Sequence, residues 1–160
     1  LWAHIIFTAI TFGGSIYETM VINSVWYSAL PGSLGFMTNP EYSVKPGRFW
    51  QGLGPIPFLS ALLALVFNLF IRNRRGLMLI SFACVLIIGM STIFYFVPIL
   101  KIIFSPDGGG RTGEELTQLA LNWKNGTWLR MALLLLSLVV SIVAIGRSTE
   151  RSKLIDTQIT

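Results

Sequence analysis

Two charged residues, Glu18 and Arg130, interrupt segments that are otherwise long and apolar. A desolvated carboxylate can accept a proton from a substrate, and a desolvated guanidinium can stabilise negative charge. An ionisable side chain within a membrane costs at least ~2.5–3.5 kcal/mol on insertion scales, so such a residue marks a candidate functional site. These two residues therefore indicate where chemistry is expected in this chain.

Other polar and aromatic residues are expected near the same pair, in the outer half of the molecule. Glu18, Arg130 and Tyr95 are the candidate catalytic residues, with Glu18 as the proton acceptor. The candidate substrate-binding residues are Trp50, Gln51, Asn122 and Trp123. Tyr95 and Gln51 would orient a carbonyl or a phenol. Two other interpretations stay open: an ion pair that only ties two helices together, or two charges that make no contact.

Aromatic residues concentrate near the predicted outer boundary, and they have two readings. Such residues are typical of the aromatic belt of a membrane protein. They could instead line a pocket for a planar substrate. The residues concerned are Tyr17, Trp26, Tyr27, Phe49, Trp50, Trp123 and Trp128.

The residues that the chain lacks exclude several kinds of site. A zinc or non-haem iron site needs several His, Cys or carboxylate ligands, and the chain has one histidine, His4, and one cysteine, Cys84. We therefore expect no metal and no cofactor, with a haem held by His4 alone as the remaining alternative to a hydrogen-bonded interhelical histidine. The glycines at 108–110 lack the Lys-Ser/Thr of a phosphate-binding loop.

The elements that must position these residues are membrane-spanning helices. The chain of 160 residues is 53% hydrophobic and 12% charged, against about 25% charged in a typical soluble domain. About 20 apolar residues cross a bilayer. The sequence therefore predicts an all-α protein, an integral membrane four-helix bundle forming one domain over residues 1–146. The predicted spans are 1–30, 49–72, 76–104 and 127–146, with an interfacial helix over 112–124 and a polar cytoplasmic tail over 147–160.

The segment 112–124 and its continuation leave one point open. Thr112 and Glu115 form a capping-box pattern at its start. The apolar residues that follow have helical spacing, so the segment lies at the membrane interface or extends the fourth span. Asn125-Gly126 either breaks the helix or bends it.

The distribution of basic residues predicts the orientation. Three arginines lie in the short turn at 72–75, and Arg147, Arg151 and Lys153 lie in the tail. Two spans separate these segments, so both are on one side, which the positive-inside rule makes cytoplasmic. Both termini are then cytoplasmic. The net charge of +5 is read as this topology signal, and no nucleic-acid partner is expected.

A polar stripe runs along the first predicted helix. Its members are His4, Thr8, Thr11, Ser15 and Glu18, with spacings of 4, 3, 4 and 3. Such spacing places the side chains on one face of a helix, and polar faces of membrane helices turn towards other helices or a cavity. Gly13 and Gly14 on the same helix would allow another helix to approach closely.

Four sequence patterns together resemble the anthrone oxygenase-like family of four-span membrane proteins. They are Gly13-Gly14 with Glu18, Phe49-Trp50 with Pro55, Tyr95-Phe96-Val97-Pro98, and Trp123 with Arg130. The resemblance covers most of the chain. It implies a four-helix membrane bundle and the oxidation of a planar polyphenol by dioxygen, without a well-defined cofactor.

Two functional hypotheses follow. The first is a multi-pass membrane protein with a polar pocket in the outer half of the bundle, an oxidoreductase or binder of a small planar compound. The second is an accessory or structural subunit of a larger membrane complex, with partner membrane subunits or copies of itself. In both, the bilayer is a partner, and we expect a bacterial plasma (inner) membrane.

Overall fold

The computed structural model describes residues 1–26, 32–34, 46–105 and 108–147, and this part of the chain is all-helical. Four helical stretches are long and apolar enough to cross a membrane, as the sequence predicts. These spans, numbered first to fourth, are Trp2–Val25, Gly47–Asn68, Arg72–Ile103 and Gly113–Gly146. The predicted end of the first span at residue 30, most of the loop 31–48 and the tail beyond residue 147 lie outside the described residues.

Seven α-helices and two π-helical turns make up the described spans. The first span is α1 (Trp2–Tyr17), a π turn (Glu18–Ile22) and α2 (Asn23–Trp26). The second is α3 (Pro46–Leu53) and α4 (Pro55–Asn68). The third is α5 (Arg72–Ser91), a π turn (Thr92–Phe96) and α6 (Val97–Ile103), and the fourth is α7 (Gly113–Gly146). Short 3₁₀ turns lie at Gly32–Leu34 and Gly108–Gly110.

The start of the first span, the turn between the second and third, and the end of the fourth lie together. Leu1 packs against an apolar cluster that includes Met78 and Ala144. The Arg74 guanidinium donates to the carbonyl oxygens of Ile145 and Arg147, at 3.3 and 2.8 Å. A cation at this position satisfies the last carbonyls of a helix and is favoured by its dipole. We call this the basic end of the bundle.

The fourth span differs from the prediction of a separate interfacial helix over 112–124. One helix of 34 residues runs from Gly113 to Gly146, so this segment extends the span. The predicted capping box is confirmed, because the Glu115 N–H donates to Thr112 and the Thr112 N–H to Glu115. The helix continues through Gly126, whose bare face receives the Phe96 ring. A Cβ at Gly126 would lie 2.8 Å from that ring.

The third span contains a π turn close to Pro98. This turn, Thr92–Phe96, ends two residues before the proline. Pro98 has no N–H to offer the carbonyl of Phe94, so the hydrogen-bond ladder must rearrange there. The other π turn, Glu18–Ile22, contains no proline. Such turns are frequent at functional sites, and here one begins at Glu18.

Candidate functional site

The polar stripe of the first span faces the interior of the bundle, as predicted. His4, Thr8, Thr11 and Ser15 are buried, and the buried face continues through Thr19 and Asn23. Glu18, which begins the π turn beside this face, is half-buried. The first span therefore carries polar groups through much of an apolar bundle, in two separate clusters.

The first cluster, called the His4 cluster, joins all four spans. Its members are His4 and Thr8 from the first span, Ser60 from the second, Ser81 from the third, and Ser137 and Ser141 from the fourth. The His4 Nε2 lies 2.8 Å from the Ser81 hydroxyl, and Nδ1 lies 3.2 Å from that of Ser60. Ser81 also contacts the hydroxyls of Ser137 and Ser141, at 2.8 and 3.0 Å.

One assignment of donors satisfies the two ring nitrogens of His4. The Ser60 hydroxyl donates to the Pro57 carbonyl at 2.9 Å, so it accepts from His4 Nδ1–H. The other ring nitrogen then accepts from the Ser81 hydroxyl, which in turn accepts from Ser137. A neutral histidine with both nitrogens engaged and only 1% exposure has no nitrogen left for a metal. This geometry favours the interhelical role of His4 over the haem alternative.

The second cluster, called the Arg130 site, comprises Glu18, Trp50, Phe96, Trp123 and Arg130. The Trp50 indole N–H donates to Glu18 Oε2 at 2.6 Å, which joins the second span to the π turn of the first. Gly14 makes room for this contact, because a Cβ there would lie 3.1 Å from Phe49 and 3.6 Å from Trp50. The expectation of a close approach at the glycine pair holds for Gly14, whereas Gly13 has nothing within 4 Å.

The guanidinium of Arg130 is placed by an aromatic ring. Its Cζ lies 4.5 Å from the centroid of Phe96, which is a cation–π contact. Phe96 packs edge-to-face against Trp123 at 5.7 Å and against Tyr95 at 5.2 Å. Phe96 and Trp123 are buried, whereas Tyr95 is 41% exposed.

The expected direct ion pair between Glu18 and Arg130 is not formed within the described part of the chain. Trp50 binds the carboxylate, and Phe96 covers the guanidinium. The Nε of Arg130 is buried and makes no hydrogen bond there. The next residues in the chain, Thr19 and Met131, are in contact at 3.9 Å, so the two charged residues lie at neighbouring positions of the first and fourth spans. The site thus holds two opposite charges near each other without joining them.

Two of the predicted site residues lie elsewhere. Gln51 and Asn122 are exposed, and the Asn122 side chain accepts from Gln118 at 3.0 Å. Both residues lie on helix faces that turn away from the interior, because the adjacent residues Trp50 and Trp123 face inwards. Trp50, Trp123 and Tyr95 are brought to Glu18 or Arg130 directly or through Phe96.

Some residues of these clusters escaped the sequence analysis, although signals for them exist. Phe96 is not among the predicted site residues, yet Gly126 and Arg130 are four residues apart on one helix face, and the missing side chain at Gly126 leaves space there for a ring. Ser137 and Ser141 have the same spacing, which marks a polar face on the fourth span. Hydroxyl residues at this spacing are a usable sign of contact between membrane helices.

The described residues contain no group of three His, Cys, Asp or Glu side chains that could hold a metal ion. A shallow surface cleft lies at the start of α7, along Thr112, Glu114 and Gln118, away from the Arg130 site. Comparison of the chain with protein-family models, with curated proteins and with solved structures finds no match. The functional argument therefore starts from the geometry of the two clusters.

Proposed function

We propose that this chain is an integral membrane protein that binds a small planar compound at the Arg130 site. The four apolar helices support membrane insertion. The polar end of the compound, a phenol or carbonyl, would lie between Glu18 and Arg130. Its ring would lie in the aromatic surroundings of the guanidinium, beside Phe96 and Tyr95.

The single observation that carries this proposal is the buried Nε of Arg130 that has no hydrogen-bond partner within the described residues. Buried polar groups are nearly always hydrogen-bonded, and a charged donor loses most when it is left unpaired. An acceptor oxygen from a ligand would satisfy this donor. Glu18, held by Trp50, would at the same time accept a hydrogen bond from a phenolic O–H.

The oxidoreductase form of the proposal adds one chemical step. Glu18 would accept the phenolic proton, and Arg130 would stabilise the resulting phenolate. Such an electron-rich anion can give electrons to dioxygen, so the reaction needs no resident cofactor. This is the chemistry that the resemblance to anthrone oxygenase-like proteins implies.

The orientation is part of the same proposal. Arg72, Arg74, Arg75 and Arg147 gather at the basic end. The positive-inside rule would place that end and both termini in the cytoplasm, and the Arg130 site in the outer half of a bacterial plasma membrane. A planar apolar compound could then enter from the outer leaflet.

Binding of a hydroxyanthrone to the purified chain in detergent tests the proposal. Loss of the charged acceptor in Glu18→Gln should weaken binding about 10-fold or more, and Arg130→Gln should weaken it similarly. The matched controls are Glu114→Gln and Arg111→Gln, which change exposed residues in the first turn of the fourth span and just before it. Tryptophan fluorescence follows binding, and oxygen consumption follows turnover, which Glu18→Gln should abolish.

Equal affinity in Glu18→Gln and the unmodified chain would refute this assignment. An absence of binding, together with stable co-purification of other membrane chains, would favour the accessory-subunit hypothesis instead. A single stable species that binds the compound alone would count against that alternative.

A further inference from the structure

Glu18 and Arg130 are not paired with each other in the described part of the chain, although they carry opposite charges. Opposite charges in a medium of low dielectric attract strongly, so a direct pair is the expected arrangement. The structure replaces it with a 2.6 Å hydrogen bond from the Trp50 indole to Glu18. One carboxylate oxygen, Oε2, is thereby bound on the side of Trp50, and the Nε of Arg130 has no hydrogen-bond partner among the described residues.

We propose that Trp50 is a positioning residue that holds Glu18 away from Arg130 and so keeps the guanidinium available for the carboxylate of a planar aromatic acid. This proposal rests on the proposed function, because it names the ligand class of the same site. In the absence of the indole N–H, the carboxylate of Glu18 would bind Arg130 and so compete with the carboxylate of the ligand.

The surroundings of Arg130 favour a carboxylate in particular. Phe96 covers one face of the guanidinium, so a ligand must approach its edge or its other face. The edge carries the Nε–H, which has no hydrogen-bond partner in the part of the chain that the structure describes. A planar group with two acceptor oxygens matches two neighbouring N–H groups of a guanidinium, which is the geometry of bidentate arginine–carboxylate pairs.

The indole is positioned independently of Arg130, which a holding role requires. Phe49 and Trp50 lie against the bare face of Gly14 on the first span. The backbone carbonyl of Trp50 accepts a hydrogen bond from the N–H of Gly54 at 2.8 Å. A Cβ at Gly54 would lie only 2.5 Å from that oxygen, so the close approach requires glycine. The packing of α3 therefore fixes the position of Trp50 without help from a ligand.

Binding of 2-naphthoate and of its neutral isostere 2-naphthamide to the purified full chain in detergent, at pH 8, tests the proposal. The unmodified chain should prefer the acid about 10-fold, as a charged hydrogen-bonded pair warrants. Trp50→Phe should lose about 10-fold in affinity for the acid, because Glu18 then competes for Arg130. The double variant Trp50→Phe with Glu18→Gln should regain that loss, which a purely structural role of Trp50 would not allow.

Trp2→Phe is the matched control, since this tryptophan is exposed at the opposite end of the bundle, and its affinity should not change. If Trp50→Phe does not fold, Glu18→Gln alone decides. It should bind 2-naphthoate several-fold more tightly by removing a competing like charge, whereas it weakens hydroxyanthrone binding. An unchanged or weakened affinity for the acid in Glu18→Gln would overturn the proposal, as would a lack of rescue in the double variant.

The two proposals fail in distinguishable ways. Hydroxyanthrone binding that depends on Glu18, with no preference of the site for naphthoate over naphthamide, would refute the role of Trp50 and leave the proposed function standing. No binding of either compound would refute both.

Discussion

The His4 cluster and the Arg130 site solve the same physical problem in opposite ways. Both bring polar side chains of several spans into an apolar bundle. In the His4 cluster, hydroxyls and a neutral imidazole satisfy one another within 3.3 Å. In the Arg130 site, a buried donor of a charged group has no partner in the described chain, and two opposite charges stay apart.

The difference teaches which cluster serves the fold. A satisfied network of neutral groups contributes to stability and fixes how the helices pack. An unsatisfied charged group costs free energy, and proteins keep such features mainly at functional sites. The His4 cluster thus contributes to helix packing, whereas the Arg130 site keeps the unsatisfied donor on which the proposed binding rests.

The largest effect that separates the two regions is expected from Ser81→Ala. This change removes the hydroxyl that contacts His4, Ser137 and Ser141, and it leaves those groups buried with one partner fewer. Interhelical hydrogen bonds in membranes average about 0.6 kcal/mol each, so the loss over three contacts should be about 2 kcal/mol in the free energy of unfolding. Unfolding in mixed detergent and dodecyl sulfate measures it.

Ser91→Ala is the control for this prediction, because it makes the same chemical change on the same helix. Within the described residues, the Ser91 hydroxyl donates only to the Ile88 carbonyl of its own helix, at 2.9 Å. Its removal should cost well under 1 kcal/mol. Equal losses in the two variants would mean that the His4 cluster contributes nothing beyond ordinary intrahelical bonds, and the comparison would fail.

A smaller effect is expected from Arg130→Met. Its size tests whether Glu18 and Arg130 form an ion pair that holds two helices together. Breaking a direct buried ion pair costs about 3–5 kcal/mol. Here Glu18 keeps its bond to Trp50, and the change removes an unsatisfied charge together with a cation–π contact. These two effects oppose each other, so the free energy of unfolding should change by only about 1 kcal/mol, while ligand binding is lost.

Arg111→Met provides the reference for loss of an exposed charge. A loss of 3 kcal/mol or more in Arg130→Met, without a similar loss in the reference, would show that Glu18 and Arg130 pair directly in the detergent-solubilised protein. That result would reverse the comparison and make the Arg130 site the structural cluster.

The sequence alone was sufficient to predict the four membrane-spanning helices and the face of the first helix that is buried. Long uncharged segments predict four spans, and the spacing of His4, Thr8, Thr11 and Ser15 predicts a buried face. Both conclusions follow from periodicity and hydrophobicity, which are local properties of the chain. The continuous fourth span was one of two alternatives, and the structure shows one helix that passes through Gly126, where the Phe96 ring makes a long-range contact that local sequence does not reveal.

The partners of the polar groups could not be predicted in the same way. Ser81 and Ser91 lie on one helix, yet only Ser81 reaches other spans. A hydroxyl can always bond to its own helix, so its presence alone does not indicate an interhelical contact. The pairing of Glu18 with Trp50 instead of Arg130 has the same origin, because it depends on how α3 packs against Gly14.

The smallest effect, and the finest test of the comparison, comes from two adjacent glycines. Gly13→Ala adds a methyl group where nothing lies within 4 Å, so better helix propensity should stabilise the protein by up to about 1 kcal/mol. Gly14→Ala brings the same gain but places its Cβ 3.1 Å from Phe49, so the ring and Trp50 behind it must shift. The free energy of unfolding should therefore stay unchanged or decrease slightly. The affinity for 2-naphthoate should fall, because Trp50 holds Glu18 less well. Suppose that both variants bind 2-naphthoate like the unmodified chain, although a shift in tryptophan fluorescence shows that Gly14→Ala has moved Trp50. Ligand binding at the Arg130 site would then not depend on the position of Trp50, and the proposed difference between the two clusters would be refuted.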